Sequence, residues 1–281
     1  MPEFISSDGV MLYFDDTGGN GPVVLCLAGL TRNSSDFDYA MSSLSRARVI
    51  RMDYRGRGKS DWCDDFTTYS ISREAKDVLE LLDHLGLERT AILGTSRGGL
   101  IALTLATMAR HTLSGVCFND VGPVIEFDGL KTIVPHVGRN PPYSTVLEAT
   151  RALVAGVTGF HNVPLTRWRD EVKKRYIETT TGLVINYDPK LRASVLASVD
   201  PNAQPLDLWP IFDALSGMPL AALRGANSNI LSAETLANMQ ARLPMIAATV
   251  RDRGHVPFLD EPECITVLTD WVNALCEQEI S

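Results

Sequence analysis

Nowhere in this sequence do about 18 apolar residues run together, the length a helix needs to cross a bilayer. The first residues, Met1 to Gly9, lack the basic start and apolar stretch of a secretory leader. Cysteine is sparse: Cys26, Cys63, Cys117, Cys264 and Cys276 make an odd number with no CxxC pair. Three of them lie inside apolar runs, where cysteine behaves as a small hydrophobe. That pattern argues against a metal cluster and a disulfide framework, and for a reducing compartment. Positive charge is also short, with 26 Lys and Arg against 34 Asp and Glu, a formal net charge of -8 and no basic stripe. Phosphate binding wants a basic face, so a nucleic-acid partner is not expected. These absences together lead to the expectation of a cytoplasmic protein with no membrane partner, no cofactor and no metal.

What is present is the balance of a globular chain: 281 residues, 45% hydrophobic and 21% charged. That suffices for a sizeable core without covalent help. Asp8-Gly9, between Pro2–Ser6 and Met11–Asp16, is a hairpin signal. The unbroken apolar run from Val23 to Ala28 suits a strand covered on both faces. Strands are also expected at Val49–Met52, Thr90–Leu93, Gly115–Asn119, Leu220–Arg224 and Met245–Val250. Helices are expected at Asp36–Ser45, Leu100–Met108, Ser232–Arg242 and Glu261–Gln278. Ile71, Ala75, Val78, Leu82 and Leu85 recur at helical spacing, and Gly86 follows as a stop. Such alternation means a mostly parallel sheet with helices on both faces.

The rhythm breaks between Val124 and Leu206. Helical periodicity appears there in Tyr143–Ala155 and Thr166–Thr179, with no strand that joins the sheet. The expected organisation is a core of residues 1–123 and 207–281, with residues 124–206 a helical cap over the sheet.

Gly94-Thr95-Ser96-Arg97-Gly98 matches G-x-S-x-G, a pattern that arises by chance about once in ten chains of this composition. Its setting strengthens it, because it follows a strand and opens a helix, as a nucleophile elbow must. Such a turn pushes the Ser96 hydroxyl out at the carboxyl edge of the sheet. Gly94 and Gly98 stand where a Cβ would strike backbone. Of five histidines, His255 in Arg253-Gly254-His255-Val256-Pro257 follows the last strand and can reach that edge as the base. His84 and His111 read as surface residues, and His136 and His161 lie in the insertion. The loop Ala28-Gly29-Leu30-Thr31 follows the strand at Val23. Its Leu30 N–H, with that of Arg97, is the expected pair of oxyanion donors, and Gly29 is expected to permit the turn.

In order along the chain, the Leu25–Leu30 loop, Asp53-Tyr54-Arg55-Gly56-Arg57-Gly58-Lys59-Ser60, the serine elbow and the Gly254-His255 loop resemble the landmarks of the α/β-hydrolase superfamily. The resemblance covers the core on both sides of the insertion. It is similar to the branch of bacterial esterases, lactonases, enol-lactone hydrolases and carbon–carbon hydrolases. Two positions depart from the pattern. Ala28 stands where the family often has His before the oxyanion glycine. Asn229, in Gly225-Ala226-Asn227-Ser228-Asn229, stands where the family usually carries its acid. Three readings follow: that Asp120, in Asn119-Asp120-Val121-Gly122-Pro123, supplies the acid as in some branches; that Asn229 belongs to a slow or altered enzyme; or that Asn229 replaces a native Asp. Asp120 is the reading adopted.

Several patterns point elsewhere and fail. Gly58-Lys59-Ser60 ends like a phosphate loop, but Asp53 stands where that loop needs its first Gly. Asp61, Asp64 and Asp65 read as a solvated loop, and Trp168 and Trp209 as pocket or packing residues. The function implied is hydrolysis of a carboxylic ester or lactone of a small molecule through an acyl-enzyme on Ser96. Carbon–carbon or amide cleavage, and a weakly catalytic ligand-binding homologue, remain the alternatives. Oligomeric state leaves no mark in the sequence.

Overall fold

A computed structural model describes residues 2–198 and 207–280. In chain order the first half holds β1 (Glu3–Ile5), β2 (Met11–Asp16), β3 (Val23–Leu27), β4 (Arg48–Met52), α1 (Ile71–His84), β5 (Thr90–Thr95), α2 (Arg97–Met108) and β6 (Leu113–Asn119). Then come α3 (Phe127–Ile133), α4 (Val146–Gly156), α5 (Leu165–Arg175), β7 (Tyr176–Thr179), β8 (Gly182–Ile185) and α6 (Leu191–Ser198). The chain closes with α7 (Trp209–Asp213), β9 (Leu220–Gly225), α8 (Ala233–Arg242), β10 (Ile246–Val250) and α9 (Pro262–Ile280).

Among the described residues the main sheet has eight strands in the order β1-β2-β4-β3-β5-β6-β9-β10. β1 and β2 join it antiparallel, and β4 through β10 run parallel. The period-2 alternation of strand side chains splits the core in two. Leu25, Leu27, Ile92, Val116 and Phe118 pack on one face with Val78, Leu81 and Ile101 of α1 and α2. Val24, Cys26, Leu93, Cys117 and Leu223 face the other way, onto Phe37 and the Cys264, Leu268 and Trp271 side of α9. All five cysteines are free thiols. No helix among the described residues is long and apolar enough to cross a membrane.

Local chemistry explains the element ends. Ser70 caps α1 by accepting from the Arg73 N–H, and the chain leaves α1 through Gly86 at φ +64°, where a side chain would be strained. Two expected helices are corrected. The Asp36–Ser45 segment forms only a short 3-10 helix over Ser34–Tyr39, capped by Asn33. Periodicity carried the Thr166–Thr179 helix too far: α5 stops at Arg175. Tyr176–Thr179 instead pairs antiparallel with Gly182–Ile185 in a small sheet separate from the main one. The β-branched residues there favour the extended form.

The segment between β6 and β9 therefore contains helices and one small hairpin. Its α5 reaches the core through Arg32–Glu171 (2.8 Å) and Arg167–Asp260, and through the ring cluster of Phe160, Trp168 and Phe258. Trp168 is buried in that cluster, while Trp209 packs on Phe212 and under Arg242. The boundary placed at Leu206 lies outside the described residues.

Candidate active site

β5, β6 and β10 all end on the same edge of the sheet, and each delivers one residue there. After β5, Ser96 sits at φ 50°, ψ -111°, a strained backbone for a residue with a Cβ. The turn closes only because its neighbours are small. A Cβ on Gly94 would lie 2.5 Å from the Gly99 nitrogen, and one on Gly98 2.0 Å from the Leu27 oxygen. Gly98→Ala must push α2 away from β3, and is expected to cost about 1–3 kcal/mol as an overpacking change. A urea midpoint within error of the parent's would contradict this.

Register fixes the second residue. Thr95 pairs with Asn119 across the β5–β6 ladder, and the Ser96 N–H donates to the Asn119 oxygen at 3.0 Å. The next residue, Asp120, turns at φ 57° and is fully buried. Its Oδ1 accepts from the Gly225 N–H at 2.8 Å and its Oδ2 from the Ser228 hydroxyl at 2.6 Å. That same Oδ2 lies 2.7 Å from His255 Nδ1, and His255 Nε2 lies 3.0 Å from Ser96 Oγ. With Asp120 ionised, this network places the ring proton on Nδ1 and leaves Nε2 free to accept from Ser96. Asn229 is exposed and makes no hydrogen bond to His255. The loop it belongs to serves through Ser228, which also accepts from the Ile230 and Leu231 N–H groups.

His255 is held by its own loop. Glu261 accepts from the Phe258 and Leu259 N–H groups, each at 3.0 Å, and pairs with Arg253 at 2.6 Å. The other histidines stay out of this arrangement. The exposed His84 stacks on Phe4, for example, and the His161 N–H bonds the Asp252 oxygen.

Leu30 and Arg97 follow β3 and β5, and among the described residues neither backbone N–H meets an acceptor. Gly29 opens the turn, its oxygen accepting from the Arg32 N–H at 3.1 Å, without a left-handed φ. A Cβ on it would meet Arg32 Cγ at 3.5 Å and Ser96 Cβ at 4.0 Å, both ordinary contact distances.

A scaffold that sequence reasoning missed underlies this loop. The Asp53–Ser60 turn holds it at three points: Asp53 accepts from the Ser34 N–H at 2.7 Å, Tyr54 donates to the Ala28 oxygen at 3.0 Å, and Arg57 Nε donates to the Leu30 oxygen at 3.0 Å. Burial raises the Asp53 carboxyl above its ordinary value and lowers the Arg57 guanidinium below its own. Arg57 Nη1 lies 2.9 Å from Glu74 Oε1, and Arg97 Nε donates to Glu74 Oε2 at 2.5 Å. Glu74 thus ties together the two segments that bear the open amides. A signal existed: Glu74 shares the buried stripe of α1 with Val78 and Leu81.

Comparison with known proteins agrees with this geometry. Residues 24–263 match the model of the alpha/beta hydrolase family. A 3-hydroxybutyrate-oligomer hydrolase of Cupriavidus necator is 32% identical over 88% of this chain and 87% of its own. A 2-(acetamidomethylene)succinate hydrolase of Mesorhizobium japonicum is 26% identical over 91% of this chain and 90% of its own. The crystal structure of an alpha/beta hydrolase from Novosphingobium aromaticivorans superposes with a TM-score of 0.90 at 36% identity, covering 97% of both chains. Sheet order, serine elbow and sequence likeness agree: this chain belongs to the alpha/beta hydrolase family.

Proposed function

We propose that this hydrolase cleaves a carboxylic ester or lactone of a small molecule through an acyl-enzyme on Ser96. The observation that carries the reading is the continuous relay Ser96–His255–Asp120 beside two unpaired amides. His255 Nε2 takes the Ser96 proton as Oγ attacks the carbonyl carbon. The Leu30 and Arg97 N–H groups receive the developing oxyanion. The C–O bond to the alcohol breaks, and the alcohol leaves with the proton held by His255. A water molecule, deprotonated by His255, attacks the acyl carbon, and Ser96 departs with its proton restored. Asp120 fixes the ring tautomer and balances the imidazolium charge.

Both relatives named above support a small-molecule acid derivative: one acts on 3-hydroxybutyrate oligomers, the other on an acetamidomethylene succinate. The acetamido group in the second name favours amide cleavage by the same relay as the second reading. The reading as a weakly catalytic binding protein rested on Asn229, and Asp120 Oδ2 at 2.7 Å from His255 Nδ1 favours the hydrolase over it.

Intact-mass analysis after fluorophosphonate exposure tests the proposal. The parent is expected to gain one adduct on Ser96 and to turn over 4-nitrophenyl acetate for many cycles, while Ser96→Ala gains none. An unlabelled parent, or a label on another residue, contradicts it.

A further inference from the structure

The hydrogen bonds of the relay say nothing about what holds the rest of the substrate. Between α4 and α5 lies a cavity of about 240 Å³, lined by Ala149, Leu153, Val157 and Val172 together with Tyr143, Arg175 and Tyr176. Its walls are short aliphatic groups, so the Arg175 guanidinium is the charged element among them.

Arg175, whose side chain is 37% exposed, has one ion pair among the described residues, to Glu171 Oε2 at 3.5 Å, and that oxygen is already engaged by Arg32 at 2.8 Å. Its Nε is buried with no protein acceptor, and so is Nη1 of Arg32. Arg32 also takes the near charge of Asp36, at 2.5 Å, which leaves little negative charge for Arg175. Burial and the neighbouring Arg32 cation hold the Arg175 guanidinium below its ordinary value. Its unpartnered Nε can donate to a carboxylate brought into the cavity, in a charge-assisted hydrogen bond.

Two connections run from the cavity lining toward the site. Arg32, which shares Glu171 with Arg175, lies beside Gly29, where a Cβ would meet Arg32 Cγ at 3.5 Å and Ser96 Cβ at 4.0 Å. Val157 leads into Thr158–Phe160, which packs on Gly254 next to His255: a Cβ on Gly254 would lie 3.0 Å from the Phe160 ring and 3.3 Å from the Thr158 oxygen.

We propose that the α4–α5 cavity is a subsite for the free carboxylate of the substrate, with Arg175 as its anchor and Arg32 as the supporting cation. The preferred substrates are then short aliphatic acyl compounds that carry a carboxylate at the end remote from the scissile bond. This rests on the reading of Ser96 as the nucleophile of a carbonyl hydrolase.

Two measurements keep the claims separable. The first compares kcat/KM for the 4-nitrophenyl monoester of succinate with that for 4-nitrophenyl butyrate, its neutral counterpart. The parent is expected to prefer the charged ester, and Arg175→Gln to lower that preference by about fivefold, the scale of a charge pair partly open to solvent. Arg175→Lys, which keeps the charge, is expected to recover part of it. The second measures calorimetric binding of monomethyl succinate and dimethyl succinate to folded Ser96→Ala protein, with and without Arg175→Gln. Monomethyl succinate is expected to bind more tightly than the diester, and to lose that advantage with Arg175→Gln. Parent protein that cleaves neither ester, with the binding advantage intact, overturns the hydrolase reading and leaves the subsite standing. Cleavage without preference for the charged ester, or a binding advantage that survives Arg175→Gln, overturns the subsite.

Discussion

Asp120→Asn is expected to lower kcat on 4-nitrophenyl acetate by about 10⁴, the scale of the corresponding change in the serine-protease relay. Two effects combine. The amide cannot balance the imidazolium charge that forms when His255 takes the serine proton. It also presents the wrong hydrogen-bonding pattern. Asp120 Oδ1 accepts from Gly225, while Oδ2 accepts from Ser228 and faces His255 Nδ1. An Asn that keeps its oxygen on Gly225 must point its NH₂ donors at the Ser228 hydroxyl and the ring, which forces the His255 proton onto the wrong nitrogen. Steady-state kinetics on folded variant, checked by near-UV circular dichroism, measures this. A loss below about tenfold would falsify the assignment of Asp120 as the acid. Asn229→Asp is expected to change the same rate by less than about twofold, since it adds a charge at an exposed position that makes no hydrogen bond to the ring.

Glu74→Ala is the second change with a large effect, and it acts on stability first. Arg57 is fully buried with Glu74 as its ion-pair partner, and Arg97 leans on the other Glu74 oxygen. Removing the carboxylate leaves two guanidinium groups facing one another without a counter-ion. Breaking a buried pair from one side costs about 3–5 kcal/mol. For a chain of this size that corresponds to a fall in Tm of about 10 °C. A second consequence separates this role from simple stability. Arg57 holds the Leu30 carbonyl and Arg97 bears the partner amide, so both proposed oxyanion donors loosen. Below the melting range, kcat is therefore expected to fall by about tenfold or more with KM little changed, because such donors act most strongly in the transition state. Equal Tm values for parent and variant would remove the ionic tie, and a change confined to KM would remove the link to the amides.

The sheet and the serine elbow were legible for a plain reason: both are written in local pattern. Apolar runs of strand length give β3, β5 and β6, and G-x-S-x-G at a strand–helix junction gives Ser96. The position of Asp120 needs more than local pattern. An acid can follow either β6 or β9; strand order alone sets β9 nearer to β10, and only the contact of Asp120 Oδ2 with His255 Nδ1 at 2.7 Å shows which loop meets the ring. The usual loop still takes part, but through Ser228, one residue before the position compared. The β7–β8 hairpin was hidden because the helical spacing of α5 runs on past Arg175, although Tyr176-Ile177-Glu178-Thr179 ahead of Gly182 carries its own extended preference. Glu74 falls on the apolar stripe of α1, which marks it as buried, but nothing in the sequence names Arg57, 17 positions away, as its partner.

Ser96 and Asp120 stand one residue beyond a matched pair of adjacent strands, and their separation is set by the β5–β6 ladder. Two of the three relay members are therefore encoded in one contiguous stretch, as a cartridge that needs only a histidine presented from elsewhere. Everything between Asp120 and β9 can then be exchanged between homologues, or rebuilt in a library, while that cartridge is copied unaltered. New substrate preference and the retained bond-breaking unit become separately heritable parts of one gene.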